Sequence, residues 1–168
     1  MLVPHSATAP SGVDFSGVWL IRELDSADEL RINHLIQEMD GVRKKGTGIV
    51  RAPSSNDKSG FVHVFLETGR RLQISQTPYA FFVSVDRSVV EEFRFGEQRN
   101  VNVGSIVARR VSGWDETVYV VETIDKNNVK LIERFWLSNQ RNVLNREISF
   151  RNSKGVKATA LQKFDRKK

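Results

Sequence analysis

Asp14-Phe15-Ser16-Gly17-Val18-Trp19 is the stretch that decides the fold. A Gly-x-Trp on the first strand of a chain of short antiparallel strands suits the base of a small closed barrel. The indole of Trp19 supplies a large flat plug for the narrow end. Gly17 lets the backbone bend or pass close to that ring. Such a barrel encloses a cavity, and a cavity implies a ligand.

Outward from this stretch, the pattern changes twice. Ser26 and Glu29 have capping-box spacing, and Leu30, Leu35, Ile36 and Met39 recur at near-helical intervals before Gly41. The spacing predicts one helix over residues 27–40, inserted after the first strand. A short basic turn, Arg43-Lys44-Lys45, and a polar loop over 52–60 follow. From Gly60 onward, alternation of apolar and polar residues predicts strands at 61–67, 72–76, 80–86, 89–95, 103–111, 117–124, 129–138, 143–151 and 156–164. Short turns separate them, Ser112-Gly113 and Asp125-Lys126-Asn127-Asn128 among them. The expected architecture is all-β, an antiparallel up-and-down barrel of about eight to ten strands, because an open sheet that long leaves exposed edges.

The 168 residues suit one domain, read here as a barrel over 14–166. Residues 1–13, rich in Pro, Ser, Ala and Thr, read as a disordered leader, and Lys167-Lys168 as a basic tail. The leader lacks a charged start and an apolar centre. As written, the chain is expected in the cytoplasm, with the periplasm or secretion open if a signal was removed. A charged fraction of 27% and a hydrophobic fraction of 39% place the chain among globular proteins rather than disordered ones. With no cysteine there is no disulfide, thiolate nucleophile or Cys-based zinc site. The net charge of +6 permits anionic partners, but the charges are scattered, which suits solubility.

The pattern resembles the calycin superfamily, which includes lipocalins and fatty-acid-binding proteins. The residues that carry it are Phe15-Ser16-Gly17-Val18-Trp19 and Lys163-Phe164-Asp165-Arg166. Trp114-Asp115, with the later Arg134-Phe135-Trp136-Leu137-Ser138, resembles bacterial lipocalin-like proteins of unassigned function. The resemblance implies that Arg166 packs across Trp19 by a cation–π contact. It implies too that the inserted helix corresponds to the helical lid of the fatty-acid-binding proteins. Where that family carries an Arg-x-Tyr pair for a carboxylate, this chain has Gln162 and Phe164.

The candidate site comes from a hairpin. If Lys126-Asn127 form a two-residue turn, Tyr119 lies opposite Arg134, flanked by Val121, Ile132 and Trp136. That group could anchor an anionic head inside an apolar cavity. Met39 of the helix could adapt to the ligand's shape. Glu122 and Glu133 share the opposite face in this register. They are read as answering neighbouring bases such as Arg109 or Arg146, rather than as an acid/base pair. His5, His34 and His63 show no metal-ligand spacing. No nucleophile elbow, phosphate loop or dinucleotide fingerprint is present.

The expected function is binding of a small hydrophobic molecule, with an acidic head as one option. No cofactor or metal is expected. An alternative is a cyclase or isomerase on the same fold, using Tyr119 or Arg134. Another is a basic module for nucleic acid or anionic membrane, with Phe93-Arg94-Phe95 as a stacking platform. Nucleic acid is the weaker of those two partners, and a membrane surface stays open.

Overall fold

Residues with period-two patterning form ten antiparallel strands in the computed structural model, which describes residues 2–22, 34, 62–88, 90–152 and 154–168. They are β1 (Gly17–Ile21), β2 (Arg71–Gln76), β3 (Ala80–Val85), β4 (Glu91–Arg94), β5 (Glu97–Val103), β6 (Ile106–Asp115), β7 (Val118–Asp125), β8 (Lys130–Ser138), β9 (Val143–Asn152) and β10 (Gly155–Arg166). One sheet runs β4-β3-β2-β1-β10-β9-β8-β7-β6-β5, so every pair but one joins sequence neighbours. The exception is β1 with β10, which brings the two ends of the chain together. The sheet curls into a nearly closed barrel whose free edges, β4 and β5, are consecutive in sequence. Side chains span that gap: Arg99 Nη2 donates to the Glu92 carbonyl at 2.7 Å, and Ser112 Oγ to the Arg94 carbonyl at 3.0 Å.

Trp19 of β1 packs into the core with Phe15. It is fully buried, and its Nε1 donates to the Phe15 carbonyl at 2.9 Å. Arg166 lies over the indole, 4.2 Å from the ring centroid. Gly17 has φ 142°, a conformation that favours glycine, and a Cβ there would press on Arg166 Nη1 at 2.8 Å. Above Trp19 the lower barrel is filled by Phe15, Phe81, Phe95, Trp114 and Tyr119, packed mostly edge to face at centroid distances of 4.4–5.5 Å.

Three expectations are corrected. Residues 62–65 form a short 3-10 helix rather than a strand. Val62 and Phe65 recur at the three-residue spacing that puts both on one side of such a helix, and both are buried in the upper core. Residues 97–103 form β5, which the strand pattern missed, and β6 runs on through Ser112-Gly113 to Asp115. The third concerns residues 1–13, read as a disordered leader. Ser6 and Trp114 exchange both backbone hydrogen bonds at 2.9 Å, extending the sheet beside β6, and Ala9 and Val13 pack on the aromatic core. Composition marks the segment as loop-like, whereas its backbone finds partners on the barrel. The helix expected over 27–40, and Met39 with it, lies outside the described residues apart from His34. Among the described residues, no helix is long and apolar enough to cross a membrane.

Candidate functional site

Alternation along each strand turns every second side chain inward. Inside the barrel, above the aromatic floor, this leaves a cavity of about 70 Å³ that is partly open to solvent. Leu72 and Ile74 from β2, Val83 and Val85 from β3, Val121 from β7 and Phe135 from β8 make its apolar wall. Phe15, Phe81 and Tyr119 form part of the floor, and Glu67, Ser88 and Glu91 complete the lining with Phe65, Phe93, Glu133 and Arg146.

Two arginine–glutamate pairs are built into this interior. Arg146 Nε donates to Glu133 Oε1 at 3.1 Å, Nη2 reaches the same oxygen, and Nη1 donates to Gln162 Oε1 at 3.3 Å. Both side chains of the ion pair are nearly sealed from solvent, at 4% and 6% exposure. The guanidinium also lies 5.6 Å from the Phe135 ring centroid. Arg110, equally buried, bonds Glu91 and donates through Nε to Thr123 Oγ1 at 3.0 Å. Its guanidinium sits 5.3 Å from the centroid of Phe93. Each buried cation thus meets a carboxylate and an aromatic face, the arrangement that makes burying a charge tolerable.

Tyr119 differs. It is 1% exposed, and its buried hydroxyl lies beside Ser112, with Arg110 and Arg99 near enough to bear on its acidity. Burial dominates and pushes its pKa well above the usual tyrosine value, so the hydroxyl keeps its proton. Trp114 Nε1, on the ring 5.2 Å away, is buried and unpartnered.

The expected cluster of Tyr119, Arg134, Val121, Ile132 and Trp136 is not assembled. The β7–β8 turn is longer than two residues. Asp125 Oδ1 accepts from the amides of Asn127 and Val129, and Asn128 takes φ 61°. Ile124 therefore pairs with Lys130, and Tyr119 with Phe135 rather than Arg134. A slip of one residue moves a whole set of side chains to the other face. Tyr119 and Val121 line the cavity, while Ile132, Arg134 and Trp136 turn to the outer face. There Arg134 approaches Asp115 at 3.9 Å. Phe135, Glu133 and Arg146 take the inner positions, and the alternation would have shown them in the correct register.

The same slip separates the two glutamates. Glu133 faces inward and is answered by Arg146. Glu122 faces outward, where it accepts from the Val3 amide at 3.1 Å and lies 3.2 Å from His5 Nε2 and 3.6 Å from Lys130 Nζ. Among the described residues, no group of three or more His, Asp or Glu could hold a metal ion.

No protein-family model matches the chain, and no curated protein does. Solved structures do. A secretory abundant heat soluble protein of Ramazzottius varieornatus matches with a TM-score of 0.57 at 10% identity, over 96% of this chain and 99% of that one. Lipid binding protein 8 of Caenorhabditis elegans matches at 0.53 and 12% identity, over 94% and 99%. Fatty-acid-binding protein 1 of Echinococcus granulosus matches at 0.52 and 14% identity, over 90% and 96%. The chain therefore has the antiparallel barrel fold seen in these three proteins. These three do not extend the likeness to the bacterial lipocalin-like proteins.

Proposed function

We propose that the chain binds a small, mostly hydrophobic molecule inside its barrel. The observation that carries this reading is the cavity itself. It is walled mainly by Leu, Ile, Val and Phe side chains, on a floor of close-packed rings. That lining suits a small-molecule site. Removing apolar surface from water would supply most of the affinity, at roughly 25 cal/mol per Å². The fold neighbours support the reading, since two of them are named as a lipid-binding and a fatty-acid-binding protein. The sequence left an acidic head open, but Arg110 and Arg146 of the described interior already hold glutamates.

The test is native mass spectrometry of the chain purified from cells, paired with displacement of an environment-sensitive fluorophore. Co-purifying hydrophobic molecules and competitive displacement are the expected result. A chain that carries no bound species and releases no fluorophore to any hydrophobic competitor is not a binder of this kind.

A further inference from the structure

We propose that the rim of the barrel carrying the β5–β6, β7–β8 and β9–β10 turns is a docking face for an anionic lipid surface. The proposal stands apart from the cavity reading and holds whether or not the cavity is filled. Register brings the cations together. Arg109 pairs with Ile124, Ile124 with Lys130, and Lys130 with Arg151. This row lies on the outer face, because the residues that alternate with it, Ala108, Leu131 and Phe150, pack in the upper core. Neighbouring strands lie about 4.8 Å apart, so Lys130 and Arg151 stand side by side, with Arg109 about 10 Å from Lys130. Like charges set opposite one another across a sheet cost stability, so the row is a place where an anion is favoured. Glu122 answers Lys130 at 3.6 Å. Arg109 and Arg151 are exposed, as are Lys126 and Lys154 in the turns at the same end of the sheet.

A cationic row attracts any polyanion. What separates lipid from nucleic acid is the apolar tip beside it. Val103 and Val107, 45% and 56% exposed, flank the β5–β6 turn, and Val90, 56% exposed, stands in the β3–β4 connection at the same rim. Val107 shares the outer face with Arg109, two residues further along β6. Asp86 and Asp125, in turns of this rim, are directed at backbone amides. Asp86 accepts from Arg70 and Arg71 at 2.9 Å, and Asp125 from Asn127 and Val129. Valines at a tip in water gain nothing from a phosphodiester backbone. Pressed into the boundary between head groups and acyl chains, they bury apolar surface, while the cations next to them meet anionic head groups.

The experiment measures co-sedimentation of the full chain with vesicles of mixed phosphatidylserine and phosphatidylcholine, against vesicles of phosphatidylcholine alone. Binding to the anionic vesicles is expected to be about tenfold or more tighter than to the neutral ones, and to weaken as salt is raised. Arg109→Gln and Arg151→Gln should each lower that affinity about fivefold. Lys163→Gln, which removes an exposed cation nearer the opposite end of β10, should leave it unchanged. Val103→Ser combined with Val107→Ser should lower it about three- to tenfold without altering its salt dependence. Matching urea midpoints show that each variant keeps the fold. Equal binding to the two kinds of vesicle, or none to either, overturns the proposal. Parent-like binding by the two arginine variants, or by the valine variant, overturns the assignment of this face. A single-stranded oligonucleotide that binds the parent more tightly than the vesicles do, and as tightly when the valines are replaced, gives the cationic row to nucleic acid and overturns the lipid partner. The hydrophobic-ligand reading is untouched by any of these results.

Discussion

Arg166 on the last strand rests on Trp19 of the first, with its guanidinium 4.2 Å from the ring centroid and its Nη1 donating to the Ser16 carbonyl at 2.7 Å. The two residues are direct cross-strand partners. Arg166 also reaches the Arg141 carbonyl through Nε and Nη2, at 3.3 and 3.2 Å. One side chain thus ties together the first strand, the last strand and the β8–β9 turn, at the seam where the barrel joins its two chain ends. Flat, delocalised and rich in donors, a guanidinium does all of this at once, and an ammonium does not.

Replacing Arg166 with Ala should therefore destabilise the barrel by about 2 kcal/mol, from the lost cation–π contact and carbonyl hydrogen bonds. Arg166→Lys should recover less than half of that, because the charge returns without the planar fork. Urea unfolding of the three chains gives the answer. Equal midpoints for the parent and the Ala variant would show that the stacking contributes nothing.

The buried pair Glu133–Arg146 predicts a strong asymmetry. Arg146→Met strips a sealed carboxylate of its partner and should cost about 3–5 kcal/mol. Adding Glu133→Leu to that variant removes the orphaned charge and should restore much of the loss. A double-mutant cycle by denaturant unfolding reads the coupling directly. Simple additivity of the two single changes would mean that the pair is not an energetic unit.

Tyr119 predicts a pH effect with a definite sign. Its pKa in the folded chain is raised by burial. Below the unfolded value, about 10 for a tyrosine, both states keep the proton and its contribution is constant. Above that value the unfolded chain releases a proton that the folded chain holds, so stability falls as pH rises. Tyr119→Phe should flatten this alkaline decline. At neutral pH it should leave the empty chain within about 1 kcal/mol of the parent, because the packing of the ring is kept. The check is chemical denaturation across the alkaline range. Parallel curves for parent and variant would contradict it.

What could be read from the sequence was local. Trp19 and Arg166 stand in short motifs, and the strands after Gly69 show their alternation directly. β5 was hidden because its inward positions Glu97, Arg99 and Val101 include two charges, so neither face of Glu97–Val103 reads as apolar. The candidate site failed on one turn. Nothing in Asp125-Lys126-Asn127-Asn128 announces that the Asp125 carboxylate will cap two amides and lengthen the turn, yet that one feature sends Arg134 outward and Glu133 inward. The partner of Glu133 was within reach of sequence reasoning, since Arg146 was among the bases considered. Its place in the cavity wall needed the β8–β9 register as well.

The N-terminal segment gives the last prediction. Gly113 lies on β6 where Ser6 pairs with the next residue, Trp114. A Cβ at Gly113 would stand 2.7 Å from the Ser6 carbonyl oxygen and 2.8 Å from His5 Cβ, closer than such atoms approach. Backbone in a paired strand has little room to give. Gly113→Ala should therefore push residues 5–6 off the barrel and break the His5–Glu122 contact, while β6 keeps its hydrogen bonds to β7 on the other side. Limited proteolysis should then cut within residues 1–13 of the variant far faster than in the parent, with the remaining barrel resistant. Equal cleavage rates in the two chains would mean that the segment is not held by this contact.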